Sequence, residues 1–334
     1  MLPVLTTTLL ANNQGHRTPE ALFYCPSFIT TLMPSHVSIQ GFQGSFHEVA
    51  ARQYFGPQPA LLPCATFAAV VAHVVGGTAG AGLMAMENSL AGSILPNYLL
   101  LERHAVRVTG EVYLPIHQHL MALPDTTLAD VQAVHSHPMA LRQCGDFLDR
   151  HPHWKLVETD DTGRSAQLLA ETRPPGVAVV AGTQAAIQFG LHILAPAIHD
   201  DPHNYTRFLV LERVDTAQID LRADKASLYF CAPHAPGSLA AVLVRVAANG
   251  LNLSKLQSCP RPGQPWQYGF HADVEFAEKG QLEMLLKDLE PVTEELRVLG
   301  TYRRGCMAVG EEANGETPLL TKEGMPTRSA GWVG

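Results

Sequence analysis

The feature that most constrains the fold is an alternation of short apolar runs and helix-like segments between residues 37 and 212. Each run has the length of a buried strand and leads through a turn rich in Gly, Ser or Thr into a segment with helical periodicity. The runs lie at 37–40, 61–64, 82–86, 130–134, 155–158, 177–181 and 208–211. Alternation of this kind builds parallel sheets flanked by helices, whose ligands bind beyond the carboxyl ends of the strands. The sequence therefore predicts an α/β fold with its site at those strand ends.

Serines stand where several of the helices are expected to begin. Ser45 and Glu48 have the spacing of a capping box. The predicted helix starts carry Ser45, Ser89, Ser136 and Ser165. A helix N-terminus offers free N–H groups and the positive end of the helix dipole, which suits a ligand that carries carboxylates. Serine is an ordinary capping residue, so only the four together point to an anion site.

A polar segment, Asn204-Tyr205-Thr206-Arg207, runs straight into the last apolar strand, which begins at Phe208. An amide, a hydroxyl and a guanidinium at the mouth of a buried strand can converge on a small anion, because the strand holds them while the loop leaves them accessible to solvent. The ordinary alternative is a strand that merely begins with polar residues. We predict that Asn204, Thr206 and Arg207 meet the helix starts in one crevice.

Composition excludes several classes of protein. The 334 residues are 46% hydrophobic and 16% charged, enough for a large core divided among two or three domains. A formal net charge of -8 without a basic run argues against a nucleic-acid partner. Six widely spaced cysteines without a C-x-x-C pair indicate reduced thiols, and the chain does not begin like a secretory signal. We therefore expect a cytoplasmic protein without a membrane partner.

Familiar cofactor and catalytic motifs are missing from the sequence. Gly41 and Gly44 do not form the G-x-G-x-x-G fingerprint of dinucleotide sites, and there is no P-loop and no G-x-S-x-G elbow. Three H-x-H pairs could each face one side of a strand and hold zinc. They are His117/His119, His135/His137 and His151/His153. No third ligand at a familiar spacing accompanies any pair, so we expect no metal and no cofactor.

Five segments, in order along the chain, resemble the motifs of prephenate dehydratases. They are Gly41–Glu48 (GFQGSFHE), Glu87–Ser93 (ENSLAGS), Ser136–Leu141 (SHPMAL), Asp161–Ala166 (DTGRSA) and Asn204–Phe208 (NYTRF). The resemblance implies a catalytic domain at about 37–213 with the fold of a type II periplasmic binding protein and its active site between two α/β lobes. Lobe 1 would comprise about 37–113 and 204–213, and lobe 2 about 114–203. Two departures stand out, His47 after the aromatic of the first motif and Gly163 where the family usually has Ala.

The resemblance also implies the reaction and its residues. Prephenate would lose its ring hydroxyl and carbon dioxide together to give phenylpyruvate, and the aromatic product would supply the driving force without a cofactor. Thr206 would be catalytic and would donate a hydrogen bond to the leaving hydroxyl. The expected substrate-binding residues are Ser45, Asn88, Ser89, Ser136, Thr162, Ser165, Asn204, Arg207 and Phe208.

After a polar linker at 214–224, the pattern changes to β-α-β-β-α-β, which is ferredoxin-like. Residues 224–304 resemble an ACT domain, which implies that L-phenylalanine binds between two such domains and regulates a homodimer or homotetramer. The expected effector-binding residues are Gly237, Ser238, Leu239, Asn252, Gln257 and Ser258. The second effector motif is altered, because Gln257 and Cys259 stand where many relatives have Glu and Arg.

Two other functions stay open at this point. Arogenate dehydratase differs only in the amino group of the substrate side chain. A non-catalytic ligand-sensing protein built from the same domains would need the carboxylate clamp but not Thr206. Outside the domains, we expect a poorly ordered extension at 1–36, in which Met33 could be the true start, and a flexible tail at 305–334.

Overall fold

The structure, a computed structural model, describes residues 34–218 and 220–305. The extension and the tail expected from the sequence therefore lie outside the described residues, apart from 34–36 and Gly305. Within the described ranges, every helix is too short or too polar to cross a membrane.

Helices and strands alternate along the chain much as the apolar runs predict. The strands are β1 (Val37–Gln40), β2 (Leu61–Cys64), β3 (Ala81–Asn88), β4 (Gly92–Ser93), β5 (Val106–Pro115), β6 (His119–Ala122), β7 (Ala133–Ser136), β8 (Lys155–Glu158), β9 (Val177–Ala181), β10 (His192–Ala195), β11 (Tyr205–Arg213), β12 (Lys225–Cys231), β13 (Asn252–Pro260), β14 (Tyr268–Glu275) and β15 (Glu295–Tyr302). The helices are α1 (Phe46–Phe55), α2 (Phe67–Val75), α3 (Leu95–Arg103), α4 (Pro138–Arg142), α5 (Gly145–Leu148), α6 (Thr162–Thr172), α7 (Thr183–Phe189), α8 (Ser238–Ala248) and α9 (Lys279–Leu289).

Two separate sheets build the first two-thirds of the described chain. The first has the order β2-β1-β3-β11-β5, with β4 paired to β3, and the second has the order β10-β6-β9-β7-β8. The chain passes to the second sheet after Pro115 and returns before Tyr205. This is the predicted fold class, two α/β lobes of the periplasmic-binding-protein type, and it is confirmed. The sequence patterns did not predict β5, β6 and β10. β5 and β10 are edge strands of the two sheets, and β6 lies next to β10.

Local chemistry explains where α1 begins. The hydroxyl of Ser45 accepts a hydrogen bond from the backbone N–H of Glu48 at 3.3 Å, and the Glu48 carboxylate accepts one from Gly44 N at 2.7 Å. The reciprocal bonds satisfy N–H groups that have no partner inside the helix. The predicted capping pair at Ser45 is therefore present, and it positions α1 just beyond the end of β1.

The last part of the described chain forms a ferredoxin-like unit, as predicted. Its sheet has the order β13-β14-β12-β15, and α8 and α9 pack on one face. That face contributes Leu228, Phe230 and Val274 to a core completed by Val242 and Leu285. In an isolated unit of this kind, the other face of the sheet would be open to solvent.

In this protein the second face of that sheet is covered by the first lobe. Tyr229 and Tyr302 share one apolar cluster with Met84, Val108 and Leu209 of that lobe. Every residue of β12 is buried for this reason. The two units approach so closely that a side chain on Gly300 would collide with the backbone of Val108. The first lobe and the ferredoxin-like unit therefore share a core.

Candidate active site

Three of the predicted polar residues meet where β3 and β11 lie side by side. Thr206 is directly opposite Asn88 in this antiparallel pair. The Asn88 Nδ2 atom donates to Asn204 Oδ1 at 2.6 Å, to the Tyr205 carbonyl at 3.1 Å and to Thr206 Oγ1 at 3.1 Å. The structure thus brings Asn88, Asn204 and Thr206 together at one edge of the first sheet, as predicted.

The orientation of the Asn88 amide is set by the turn that follows β3. Its Oδ1 atom accepts hydrogen bonds from the backbone N–H groups of Leu90 at 3.1 Å and Ala91 at 2.9 Å. The amide nitrogen must then point toward Thr206, whose hydroxyl oxygen accepts. Among the described residues, no acceptor takes the hydroxyl proton of Thr206, and its side chain is only partly buried. This hydroxyl is free to donate to a ligand in the cleft.

The Ser89 hydroxyl joins two segments of the first lobe. Its hydroxyl donates to the His203 carbonyl at 3.0 Å and accepts from Tyr205 N at 2.9 Å. The helix expected to open at Ser89 begins only at Leu95, and its cap, Ile94, offers no side-chain hydrogen bond. Ser89 fixes the turn after β3 to the start of β11, and the prediction that it opens a helix was wrong.

The two lobes touch each other beside the Asn88 cluster. The buried Asn204 amide donates to Gln143 Oε1 of the second lobe at 2.9 Å. At the start of α6, a side chain on Gly163 would lie 2.7 Å from the Gln43 carbonyl and 3.0 Å from Ser45 N. Glycine is therefore needed for the lobes to approach this closely, and the unusual residue at position 163 has a structural reason. Thr162, the first residue of α6, lies beside this contact and is partly buried.

The hydroxyl groups of two serines in the second lobe make hydrogen bonds inside that lobe. Ser136 is the last residue of β7, is fully buried and donates to the Val180 carbonyl at 2.6 Å. Ser165 lies inside α6 and donates to the Asp161 carbonyl at 2.9 Å. The caps of α4 and α6 are instead His137 and Asp161. The prediction that Ser136 and Ser165 open helices is therefore wrong, and their contact with substrate stays a prediction.

Phe208 lies in the hydrophobic core. It is 1% exposed in the core of the first lobe and contacts the ring of His47 edge-on at 4.9 Å between centroids. Burial lowers the pKa of His47 to about 3, so this imidazole is neutral at physiological pH. The Phe208 ring packs in the core beneath β11. Its contact with substrate stays a prediction.

Arg207 points to the opposite face of β11 from Thr206. Its guanidinium forms ion pairs with Glu111 at 2.7 Å and Asp273 at 2.5 Å and donates to the Tyr302 hydroxyl at 3.0 Å. Burial alone would lower the pKa of Arg207, but the two carboxylates raise it well above its usual range. The prediction that Arg207 meets Thr206 in one crevice is therefore wrong, because its donors are used between the first lobe and the ferredoxin-like unit.

A different arginine, Arg164, lies at the contact between the lobes. Its guanidinium is 5.5 Å from the ring centroid of Phe42, and within the part of the chain that the structure describes it forms no ion pair. The neighbouring Asp161 caps α6 by accepting from Arg164 N at 2.8 Å, and burial raises the pKa of its carboxyl group. The sequence analysis did not select Asp161 or Arg164 as site residues. Both belong to the fourth motif, Asp161–Ala166, and membership of that motif could have identified them.

The expected effector residues lie around α8 and the edge strand β13. Gly237 precedes α8 with φ of 85° and is exposed, with open space where a side chain would begin. Asn252 donates to Glu275 at 3.2 Å, and Gln257 donates to the Ser258 carbonyl at 2.8 Å. Ser238 and Leu239, at the start of α8, are partly buried. Their roles stay predictions.

The H-x-H pairs do not gather into metal sites. His119 uses both ring nitrogens, toward Thr183 Oγ1 at 3.0 Å and Ala197 N at 3.0 Å. His117 approaches His199 at 3.3 Å, across the two segments that join the lobes. None of the six histidines belongs to a cluster of three ligands within residues 34–218 and 220–305.

Comparison with known proteins places this geometry in a family. A model of prephenate dehydratase matches residues 37–216. The chain is 30% identical over 272 residues to the bifunctional chorismate mutase/prephenate dehydratase of Escherichia coli, covering 80% of this chain and 70% of that protein. It is 34% identical over 302 residues to arogenate dehydratase 5 of Arabidopsis thaliana, covering 83% of this chain and 71% of that protein.

Solved structures agree in fold. A prephenate dehydratase from Arthrobacter aurescens in complex with L-Phe is 29% identical, with a TM-score of 0.73 over 80% of this chain and 90% of that chain. GqqA, described as a quorum quenching acylase, is 30% identical, with a TM-score of 0.73 over 80% of this chain and 98% of that chain.

Proposed function

The chain belongs to the prephenate dehydratase family, and we propose that its cleft carries out the decarboxylating dehydration of prephenate to phenylpyruvate. The observation that carries this proposal is the Thr206 hydroxyl, which accepts from Asn88 at 3.1 Å and whose own proton has no acceptor among residues 34–218 and 220–305. It lies at the end of β3 and start of β11, beside the contact between the lobes.

The reaction needs a hydrogen-bond donor at one position. As the carboxylate leaves as carbon dioxide, the electrons of its C–C bond enter the ring and expel the hydroxyl group as hydroxide, which a proton converts to water. Negative charge therefore develops on the leaving oxygen. A donor already oriented toward that oxygen stabilises the transition state more than the ground state. Thr206, which lies in β11 directly opposite Asn88, is the residue we assign to this role.

Arg164 takes over the carboxylate-binding role expected of Arg207. Within the described residues its guanidinium has an aromatic neighbour, Phe42, but no carboxylate partner. A guanidinium without a carboxylate partner is suited to bidentate pairing with a carboxylate of the substrate. The N-terminus of α6, at Thr162, adds the positive end of a helix dipole beside it.

The direct test is the ultraviolet absorbance of phenylpyruvate formed from prephenate by the purified full chain. We expect turnover by the native protein and almost none by Thr206→Ala. Binding of prephenate without turnover by the native protein would instead support the ligand-sensing alternative.

Prephenate is the substrate that we propose, and arogenate is the second candidate. The Arabidopsis relative is named an arogenate dehydratase, so membership of the family does not by itself decide between them. Both substrates should be offered together and the ratio of their kcat/KM values measured. A ratio in favour of arogenate would replace the proposal.

An acylase reaction, as in the name of one similar structure, has less support here. Acyl transfer needs a nucleophile activated by a base. The partner of the Thr206 hydroxyl is the Asn88 amide, which donates and cannot take up a proton. Cys144 is buried, and burial followed by the charge of Asp200 raises its pKa to about 12. Neither side chain is therefore prepared for nucleophilic attack.

We further propose that L-phenylalanine binds the ferredoxin-like unit, as an ACT domain, and regulates the cleft. The similar structure from Arthrobacter contains L-Phe. The space above Gly237 and the start of α8 can accept a carboxylate. From the same unit, Lys255 of β13 forms an ion pair with Glu87 at 2.7 Å, one residue before Asn88. A shift of β13 on binding would therefore reach β3, whose Asn88 donates a hydrogen bond to Thr206.

Calorimetry tests the effector site. L-phenylalanine should release heat with the native protein and much less with Gly237→Val, which fills the proposed space. By linkage, a substrate analogue must then change the affinity for phenylalanine by the same factor as phenylalanine changes that for the analogue. Equal heat in both proteins would mean that the site is misassigned.

We propose that two copies of the chain associate through the ferredoxin-like units. Among the strands that the structure describes, β13 lies at the edge of its sheet and pairs on one side only. The side chains of Val244 in α8 and Met284 in α9 are 65% and 54% exposed. Open strand edges and exposed apolar side chains are features that association covers. Light scattering after size exclusion should give at least twice the 36.2 kDa mass of one chain. A single-chain mass at micromolar concentration would refute this.

A cytoplasmic location is also proposed. The four described cysteines, Cys64, Cys144, Cys231 and Cys259, are all free and buried. Free thiols are typical of a reducing compartment. Cell fractionation with an antibody to the native protein would test it, and recovery from an oxidising compartment would contradict it.

A further inference from the structure

A group of three potential metal ligands lies between the first lobe and the ferredoxin-like unit, away from the Asn88 cluster. Glu102 comes from α3, Cys259 from β13 and His271 from β14. One donor atom from each lies within 4.8 Å of the other two. Glu102 is more than 150 residues from Cys259 and His271, and none of the three belongs to an H-x-H pair. No ligand spacing in the sequence could therefore reveal this group.

Strand register brings two of the three together. Cys259 pairs with Gly269, and His271 pairs with Gln257, in the antiparallel ladder of β13 and β14. Cys259 and His271 are therefore diagonal neighbours on one face of the sheet, the face that packs on the first lobe. Glu102 reaches them from across the interface, where its carboxylate lies 2.8 Å from His271 Nε2.

The surroundings hold these side chains in a defined geometry. The His271 ring lies between Tyr98, at 4.8 Å between centroids, and Tyr229, at 5.2 Å. Arg297 of β15 donates to the backbone carbonyl of Glu102 at 3.0 Å and so attaches the end of α3 to the sheet. Cys259 is 2% exposed, and within the described part of the chain its sulfur has no hydrogen-bond partner.

We propose that Glu102, Cys259 and His271 bind a divalent cation of the zinc type at this interface. Thiolate, imidazole and carboxylate are the ligands that Zn²⁺ takes in proteins, and three protein ligands leave a fourth position for water. A thiolate and a carboxylate together balance the two charges of the ion, which matters in a buried place. Donor atoms around tetrahedral zinc lie about 3.5 Å apart. The ligands therefore need to shift by only about an ångström, Glu102 moving away from His271.

The bound ion would join the regulatory and catalytic parts of the molecule. α3 follows β4, which pairs with β3 at Glu87 and Asn88. A metal that links α3 to β13 and β14 would therefore hold the ferredoxin-like unit against the helix behind the Asn88 turn. Its loss should loosen that interface without removing any group from the cleft.

Cobalt binding is the sharpest test, because a cysteine ligand gives Co²⁺ a sulfur-to-metal charge-transfer band and tetrahedral coordination gives intense visible bands. The full chain is treated with a chelator, checked by circular dichroism and titrated with Co²⁺. We expect one ion per chain with both signatures, and displacement by Zn²⁺. Cys259→Ser should abolish the charge-transfer band and weaken binding at least about 100-fold.

Cys231→Ser is the matched control, since Cys231 is also buried on this face of the sheet but lies outside the cluster. It should keep the band and the affinity. Glu102→Gln, which keeps shape but not charge, should bind Co²⁺ more weakly and lose the rise in Tm that Zn²⁺ causes in the native protein. No charge-transfer band in the native protein, or the same band in Cys259→Ser, would overturn the proposal.

Discussion

At the scale of single residues, the candidate site depends on the pairing of Thr206 with Asn88. The Asn88 amide has two hydrogens and three acceptors, at 2.6, 3.1 and 3.1 Å. Its bonds to Asn204 and to the Tyr205 carbonyl keep it in place, so the third bond can yield when a ligand arrives. A weakly acidic hydroxyl is useful here because its position is set before the substrate enters.

Thr206→Ala should lower kcat by about a hundredfold to a thousandfold with little change in KM. Removing a hydrogen-bond donor that acts mainly in the transition state lowers kcat rather than raising KM, and the loss of one such donor lowers kcat by about this factor. Thr206→Ser, which keeps the hydroxyl, should retain most of the activity. Steady-state kinetics with prephenate measure both variants. A near-normal kcat in the alanine variant would exclude the assigned role.

Arg164→Met should raise KM for prephenate at least about tenfold and leave stability nearly unchanged. The substitution removes a guanidinium that has no carboxylate partner in the described ranges, but it keeps an apolar stem over Phe42. Arg150→Met is a matched control, because Arg150 lies in the same way over Phe147 at 5.4 Å in the second lobe. An equal effect of both substitutions on KM would count against a contact of Arg164 with substrate.

At the scale of elements, β11 serves two faces of the molecule. Thr206 faces the cleft, and Arg207 faces the ferredoxin-like unit, because successive side chains of a strand point to opposite sides. The polar segment was expected to be a loop on which these residues converge, whereas the strand begins at Tyr205. β11 therefore carries a residue of the candidate active site and a residue of the interface with the ferredoxin-like unit.

Arg207→Met should destabilise the protein by about 3–5 kcal/mol, because removing one partner leaves Glu111 and Asp273 buried with less compensation. The KM of the folded variant should stay near the native value. Arg213→Met, at the exposed end of the same strand, removes only a surface pair with Asp215 and should cost less than about 1 kcal/mol. Urea unfolding monitored by circular dichroism gives both values, and equal losses would argue against a buried network.

At the scale of the whole molecule, two α/β lobes and a ferredoxin-like unit meet around β11 and its neighbours. The second lobe reaches the first through two connecting segments, which carry His117 on one side and His199 on the other, and His119 begins β6 directly after the first segment. The neutral form of His119 fits its partners, since Ala197 N donates to Nδ1 and the other nitrogen lies against Thr183. Protonation of Nδ1 would break the first of these bonds.

Acid should destabilise the fold through His119. Burial, followed by the charges of His117 and His199, lowers its pKa from 6.5 to about 4. The unfolded chain binds the proton first, so this contribution to stability is complete above pH 6.5 and falls as the pH drops toward 4. His119→Asn should therefore lose less stability than the native protein in this range, measured by urea unfolding at several pH values. His192→Asn, an exposed position on the same sheet, should follow the native curve.

The sequence by itself determined the fold class, the order of most elements and the motifs that form the site. Alternating apolar runs are local patterns, and burial of such runs in sheets follows from their spacing alone. The sequence also predicted that Ser45 caps a helix and that Asn88, Asn204 and Thr206 meet. These predictions were possible because each residue lies at a strand end or a helix start.

Tertiary packing decided which polar residues remain available to a ligand. Ser136 and Arg207 stand in the right motifs, but Val180 and Glu111, which are far away in the sequence, take their hydrogen bonds. The same packing buried the second face of β12 and brought Glu102 to Cys259 and His271. A buried polar group must find a partner, and the partner is supplied by whichever segment packs against it. Local sequence does not contain that segment, so only the assembled fold could assign these residues.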